Sequence, residues 1–92
     1  MIVSFKHKGL ETFYRTASTK GIQAKHAARL QVLLTVLEHA EAPSDVNQPG
    51  FGLHPLKGSR KGDWSITVQA NWRLTFRFTE QGVELLNYED YH

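Results

Sequence analysis

The sequence WSITVQANWRLTFRFTEQGVELLNY, residues 64–88, contains three β-prone runs separated by short turns. Apolar residues occupy every second position from Trp64 to Val68 and again from Trp72 to Phe78, and a third run extends from Val83 to Tyr88. A period of two is typical of strands that bury one face, and a turn as short as Ala70-Asn71 joins antiparallel neighbours. These residues therefore predict a three-stranded antiparallel meander.

The residues before the meander predict a short opening strand and two helices. Met1 to Phe5 are β-prone, and apolar residues recur at helical spacing from Lys8 to about Thr16. The sequence STKG, residues 18–21, interrupts this pattern, and a longer helix is predicted from about Ala24 to Ala42, closed by Pro43. The apolar stripe of the longer helix consists of Ala27, Leu30, Leu33, Leu34, Leu37 and Ala40. We therefore expect an α+β fold, in which two N-terminal helices pack on one face of a small, antiparallel-rich sheet.

Length and composition set the class of protein. With 92 residues the chain has room for one core, so residues 1–92 are predicted to form a single domain. A hydrophobic content of 40% and a charged content of 22% are those of an ordinary soluble globular protein. No apolar run is long enough to span a membrane, and the N-terminus lacks the pattern of a secretion signal. The absence of cysteine excludes disulfides and thiolate metal sites and favours the cytoplasm.

A Gly-rich segment separates the helices from the meander. Residues Pro43 to Gly62 show neither helical nor strand periodicity and contain four glycines, including Gly50 and Gly58. Loops of this length are uncommon in small domains and usually serve a function when they are ordered. We therefore expect this loop to contribute to the functional site.

Positive charge is concentrated in the loop and the meander. From His54 to Arg77 there are five Lys or Arg residues and one acid, Asp63, whereas the remainder of the chain has six bases and eight acids. If the apolar side chains of the second meander strand face the helices, Arg73 and Arg77 project from the open face of the sheet. Such a surface either lies in water or binds an anion, and its coincidence with the loop favours phosphate binding.

Two groups of residues could perform acid–base chemistry. His54 lies in the loop sequence GLHPLKG, close to Lys57, and Asp90, Tyr91 and His92 end the sequence. If they meet on the open face, they supply the proton-transfer groups and cations that cleavage of RNA without a metal requires. His54, Asp90 and His92 could instead hold a metal, although their spacing matches no metal-site motif. A loop histidine can also be an ordinary surface residue.

The other histidines are assigned no chemical role. His26 and His39 fall within the predicted longer helix and are expected on its exposed side.

Three segments of the sequence resemble a known family. LHPLKG, WSITVQANWRLTF and NYEDYH, in this order, are similar to the HigB toxins of the RelE/ParE superfamily, found in bacterial type II toxin–antitoxin pairs. The resemblance implies a ribosome-dependent mRNA endonuclease that enters the ribosomal A site and inhibits translation without any cofactor. Cleavage would proceed by attack of a 2′-hydroxyl and leave a cyclic phosphate. The implied partners are the ribosome with its mRNA and a HigA-type helix-turn-helix antitoxin, through which alone the toxin would reach operator DNA.

The resemblance also implies the site residues. The family's functional positions fall on His54, Lys57, Arg73, Asp90, Tyr91 and His92. His92 is expected to be the main proton-transfer group, oriented or assisted by Asp90, with His54 sharing the acid–base work. Tyr91 is expected to stack on or position the nucleotide.

The basic residues are expected to contact phosphates. Lys57 and Arg73 would stabilise charge on the scissile phosphate, whereas Arg60, Lys61 and Arg77 would bind the RNA backbone.

Two other functions stay open from the sequence. ParE toxins of the same superfamily inhibit gyrase, but the ending Asp90 to His92, together with His54, favours HigB. A non-catalytic RNA-binding module would use the basic face and Tyr91 without proton transfer, and it predicts that His92→Ala stays toxic.

Overall fold

The computed structural model describes residues 1–91 and confirms the α+β class. Helix α1 spans Lys8–Thr16 and helix α2 spans Ala27–His39. The strands are β1 (His54–Pro55), β2 (Trp64–Gln69), β3 (Trp72–Thr79) and β4 (Gly82–Asp90). They form one antiparallel sheet in the order β1-β2-β3-β4, so the predicted meander is present and gains β1 at its edge.

The helices cover one face of the sheet because their apolar stripes meet the apolar face of the meander. Leu30, Leu33 and Leu37 on α2 are fully buried, as the helical spacing predicted. On the sheet, Leu74 and Phe76 are buried on the same side. The remaining core residues are Leu10, Phe13, Leu34, Ala40, Val46, Phe51, Ile66, Val68, Val83, Leu86 and Tyr88.

The N-terminal segment is not the regular strand that its composition predicted. It runs beside β4 in parallel, through two isolated bridges that join Ile2 to Val83 and Phe5 to Leu86. Between these bridges Leu85 has a φ of 54°, and its N–H bonds to the Ser4 hydroxyl instead of to a backbone carbonyl. A residue in the left-handed region interrupts the ladder, which explains why the segment pairs without becoming a continuous strand.

The second helix is shorter than predicted at both ends. Ala24–His26 form a 3₁₀ turn before it, and after His39 the backbone becomes extended at Ala40. Asp45 accepts hydrogen bonds from the backbone N–H groups of Glu41 and Ala42 and so stabilises a second 3₁₀ turn, Pro43–Val46. A side chain that caps the following turn competes with continuation of the helix, and helical periodicity alone does not register this.

The long loop contains short regular elements although its sequence shows no helical or strand period. It contains the 3₁₀ turns Pro43–Val46 and Gly58–Arg60 as well as β1, and Val46, Phe51 and Leu56 are buried. Arg29 on α2 donates to the carbonyls of Gly50, at 2.8 Å, and Thr67, at 3.0 Å, which ties the loop to β2. The loop therefore has a fixed position beside the sheet.

None of the helices within residues 1–91 is long and apolar enough to cross a membrane.

Candidate active site on the open face of the sheet

The face of the sheet opposite the helices carries two rows of polar side chains. Residues paired across antiparallel strands point to the same side. The register places His54, Ser65, Thr75 and Asn87 in one row across all four strands. Thr67, Arg73 and Glu89 form the next row. The sheet therefore brings His54 and Arg73, two of the predicted site residues, to one polar surface, as alternation predicted for Arg73.

Glu89 lies at the centre of this surface and accepts hydrogen bonds from three side chains. Arg60 contacts it in a bidentate manner, with Nη1–Oε1 at 2.8 Å and Nη2–Oε2 at 2.9 Å. The Thr75 hydroxyl donates to Oε2 at 2.8 Å and the Asn87 amide donates to the same oxygen at 3.1 Å. The donors stabilise the charged carboxylate, and the Arg60 hydrogen bonds are the largest cause of a lowered pKa for Glu89.

Arg60 links this carboxylate to Tyr91 and to a second ion pair. Its guanidinium carbon lies 5.9 Å from the centre of the Tyr91 ring, within the range of a cation–π contact. Its Nε lies 4.0 Å from Asp63, which in turn accepts from Arg77 at 3.0 and 3.1 Å. Hydrogen bonding to Glu89 is the main cause of a raised pKa for Arg60, so the guanidinium is charged under all relevant conditions.

The two ion pairs bear on which cations are available for RNA. Arg60 and Arg77 already face carboxylates, whereas Lys57 and Lys61 are exposed and form no ion pair with any residue from 1 to 91. Both lysines border a cavity of about 370 Å³ beside Trp64. The loop therefore offers two cations whose charge is not neutralised by this part of the chain.

His54 is exposed at the sheet edge, and its ring has a defined orientation. Its Nδ1 lies 3.1 Å from the Gly52 carbonyl oxygen, which can only accept, so Nδ1 carries the proton in the neutral ring. The Nε2 lone pair is then available to take a proton from a substrate. This geometry fits a general base.

Arg73 has a partly buried guanidinium on the same face. Its Nη1 donates to the carbonyls of Ala70 and Trp72, and its Nε is buried without a hydrogen-bond partner among the described residues. A buried N–H without a hydrogen-bond partner costs stability, and no phosphate can reach this Nε in the conformation observed.

The end of the sequence is placed only in part. Tyr91 is exposed, and its N–H bonds to the Asn71 carbonyl at 2.8 Å, which extends β4 along the β2–β3 turn. Asp90 pairs with Trp72, so alternation assigns it to the helix side of the sheet rather than to the open face. His92 lies outside the described residues, and with it the expected main proton-transfer group.

The alternative of a metal site formed by His54, Asp90 and His92 also depends on His92. Within residues 1–91 no three His, Asp or Glu side chains come together as a possible metal site.

Sequence reasoning missed Glu89, although a signal was present. Tyr88 ends the third β-prone run, and because Tyr88 is buried, its neighbour Glu89 faces the open side by alternation. No local pattern identifies Arg60 as the partner of Glu89, because the two residues are 29 positions apart.

The expectation that His26 is exposed on the longer helix was wrong. It lies in the 3₁₀ turn and is 1% exposed, whereas His39 is exposed as predicted. The Tyr88 hydroxyl donates to Nδ1 at 2.6 Å, and Nε2 donates to the Gln69 side-chain oxygen at 2.9 Å. His26 therefore connects Tyr88 on β4 to Gln69, the last residue of β2.

Comparisons with known proteins agree with this fold. Among solved structures, a YoeB/ParE toxin from Agrobacterium tumefaciens superposes with a TM-score of 0.63 at 20% identity, covering 99% of this chain and 96% of that one. YafQ from E. coli superposes with a TM-score of 0.58 at 22% identity, covering 97% and 87%. The chain thus has the α+β fold of RelE-like toxins.

Sequence comparisons identify the family within that class. Residues 3–92 match the HigB-like toxin family, described as the RelE-like toxin of the type II toxin–antitoxin system HigB. Two relatives match at full length: Endoribonuclease HigB of Proteus vulgaris is 47% identical over 92 residues, covering 100% of both chains. Toxin HigB-1 of Vibrio cholerae serotype O1 is 36% identical over 94 residues, covering 100% of this chain and 98% of that one. The chain belongs to the HigB family of type II toxins, and membership implies an antitoxin as partner.

Proposed function

We propose that this toxin is a ribosome-dependent endoribonuclease that cleaves mRNA in the ribosomal A site and thereby inhibits translation. The observation that supports the proposal most is the open face itself, where Tyr91, Arg73 and the free Nε2 side of His54 share one polar surface beside unpaired lysines. The full-length relative from Proteus vulgaris, named an endoribonuclease, supports RNA as the substrate.

The proposed reaction is an internal transesterification. A base removes the proton of the 2′-hydroxyl, the 2′-oxygen bonds to the adjacent phosphorus, and the bond from phosphorus to the 5′-oxygen breaks. An acid returns a proton to the leaving 5′-oxygen. The products are a 2′,3′-cyclic phosphate and a 5′-hydroxyl, and the step consumes neither water nor a cofactor.

His54 and His92 are the proposed proton-transfer groups, and Asp90 is proposed to assist His92 from the helix side of the sheet, where its pairing with Trp72 assigns it. The hydrogen bond of His54 supports the role of base, since the Gly52 carbonyl holds Nδ1–H and leaves the lone pair on Nε2 of this exposed residue. Tyr91 is proposed to stack on the nucleotide.

The proposed phosphate contacts follow the distribution of unpaired charge. Lys57 and Arg73 stabilise the scissile phosphate, a role supported by the exposure of Lys57 and by the position of Arg73 beside Glu89 on the open face. Lys61, Arg60 and Arg77 extend the surface toward the RNA backbone. We expect the two arginines to add less affinity than the lysine because carboxylates already neutralise them.

The proposed partner is a HigA-type helix-turn-helix antitoxin, which neutralises the toxin and holds it at operator DNA. The proposed location of both is the cytoplasm, where the ribosomes are.

The decisive experiment is primer extension on a defined mRNA bound to ribosomes with an empty A site, treated with purified protein. We expect a stop within the A-site codon, absent from a free-mRNA lane and absent when that codon carries 2′-deoxynucleotides. Cleavage of the deoxy codon would rule out 2′-hydroxyl attack. Intact mRNA on ribosomes that bind the protein would indicate a non-catalytic RNA-binding module.

A further inference from the structure

Both carboxylate oxygens of Glu89 accept hydrogen bonds from other side chains of the protein. Its Oε1 accepts from Arg60, and its Oε2 accepts from Arg60, Thr75 and Asn87, all between 2.8 and 3.1 Å. A carboxylate that accepts this many hydrogen bonds is a poor base, since protonation would break them. Glu89 therefore does not transfer protons, despite its central place on the open face.

The hydrogen bonds from Arg60 to Glu89 fix the position of the Arg60 guanidinium. Arg60 ends the 3₁₀ turn Gly58–Arg60, which directly follows Lys57 in the long loop. Its guanidinium also bonds to the Thr75 hydroxyl at 3.2 Å and lies 5.9 Å from the centre of the Tyr91 ring. A planar guanidinium held at both nitrogens has a fixed plane, so it presents a fixed face to the ring.

The ion pair is not the only contact that fixes the loop. The side chains of Arg60 and Glu89 are 32% and 24% exposed, and the loop is independently fixed by buried Leu56 and Phe51. The pair instead joins the basic loop to β4 at the point where β4 leads to Tyr91.

We propose that Glu89 is a positioning residue for RNA cleavage, which acts through Arg60 to hold the Tyr91 ring and the Lys57 segment in the geometry that the nucleotide requires. The inference rests on the proposed endonuclease function. It also reassigns Arg60, from a residue that binds the RNA backbone to one that orders the site.

The test compares Glu89→Gln with Glu84→Gln, a matched change on the same strand, in single-turnover cleavage on programmed ribosomes. Glu89→Gln removes the charge that holds Arg60 but leaves the loop lysines unchanged, and it frees the Arg60 charge for RNA. We expect the cleavage rate at saturation to fall about 10- to 100-fold, as for a misplaced reacting group, while the half-saturating concentration does not rise. Glu84→Gln should match the wild type.

A double-variant cycle separates positioning from an independent role. Arg60→Lys retains the charge but cannot make the bidentate contact, so it should reproduce the loss. The double variant Glu89→Gln/Arg60→Lys should lose no more than the larger single loss. Losses that multiply would overturn the inference, as would an unchanged or increased rate in Glu89→Gln.

A measurement on the protein without ribosomes tests the inference even where a variant cleaves or folds poorly. In wild type the Arg60 side-chain N–H signals should be shifted upfield by the Tyr91 ring, and Tyr91→Ala should remove that shift. Glu89→Gln should remove it too, with far-ultraviolet circular dichroism unchanged. Retention of the shift in Glu89→Gln would overturn the inference. Absence of cleavage by the wild type would instead contradict the proposed function, so the two failures are distinguishable.

Discussion

At the scale of single residues, two neighbouring hydroxyls on the open face differ in their hydrogen bonding. Ser65 and Thr75 are paired across β2 and β3 and are 1% and 2% exposed. The Thr75 hydroxyl donates to Glu89, whereas the Ser65 oxygen has no partner among the described residues. A buried polar atom without a hydrogen bond costs stability, so the two hydroxyls should respond in opposite ways to removal.

We predict that Ser65→Ala raises the free energy of unfolding by about 1 kcal/mol, because it removes an unsatisfied polar atom at little change in volume. Thr75→Val should lower it by about 1 to 2 kcal/mol, because Glu89 loses a donor. Urea denaturation at neutral pH measures both. A loss of stability in Ser65→Ala comparable to that in Thr75→Val would show that the serine has a partner after all.

Alternation in the sequence predicted which side chains of the meander are buried and which lie on the open face. Contacts between residues far apart in the sequence were not predicted. Period two assigned Leu74 and Phe76 to the core and Arg73 to the open face, and the register agrees. The Arg60–Glu89 pair and the burial of His26 depend on contacts across 29 and 62 positions, which no local pattern encodes.

At the scale of elements, helix α1 begins at an unusual cap. The His7 Nδ1 accepts from the backbone N–H of Leu10 at 3.0 Å, and the His7 ring packs edge-on against Tyr88 at 5.3 Å. Only a neutral ring can accept this bond, and burial lowers the pKa of His7 below its ordinary value of 6.5. The cap is therefore present at neutral pH and lost in acid.

The resulting pH dependence has a definite sign. Because the folded pKa of His7 lies below the unfolded one, the unfolded chain takes up the proton first as the pH falls. Stability should therefore decrease from about pH 6.5 downward until the folded pKa is passed. We expect a loss of about 1 kcal/mol, the usual value of an N-cap.

The measurement is urea denaturation between pH 7 and pH 5 of wild type, His7→Asn and His39→Asn. Asparagine is a good cap that does not titrate, so His7→Asn should show a smaller decrease than wild type. His39, exposed at the end of α2, serves as the control and should retain the wild-type slope. Equal slopes in all three proteins would contradict a capping role for His7.

Element boundaries were predictable where a local signal sets them. Helix α1 has its predicted bounds, since the apolar spacing stops where Ala17 adopts a φ of 65°. Helix α2 was predicted too long, because Asp45 caps the next turn from beyond the helix. The strand β1 was missed because two residues are too few to show a period.

At the scale of the whole molecule, the net charge of +2 hides an uneven distribution. The loop and meander carry most of the excess, but carboxylates neutralise Arg60 and Arg77 in place. A count of charges along the sequence predicted the basic surface and could not predict which charges are paired. The structure divides them into ordered ion pairs and unpaired lysines.

We predict that Lys61→Gln reduces the salt dependence of ribosome binding more than Arg77→Gln. Loss of one phosphate contact should lower the slope of log affinity against log salt by about 0.7, and the Arg77 charge is already offset by Asp63. Binding is measured on ribosomes whose A-site codon carries 2′-deoxynucleotides. An equal or larger change in Arg77→Gln would show that its ion pair opens on RNA.

The pairing of residues 1–6 with β4 has a consequence for folding during translation. The backbone N–H groups of Val3 and Lys6 bond to the carbonyls of Val83 and Leu86, so residues 1–6 pair with a strand that is translated after every other described element. Contacts of such sequence separation form late in folding. The sheet, and the surface that β4 completes with Tyr91, can therefore become complete only after β4 has been translated.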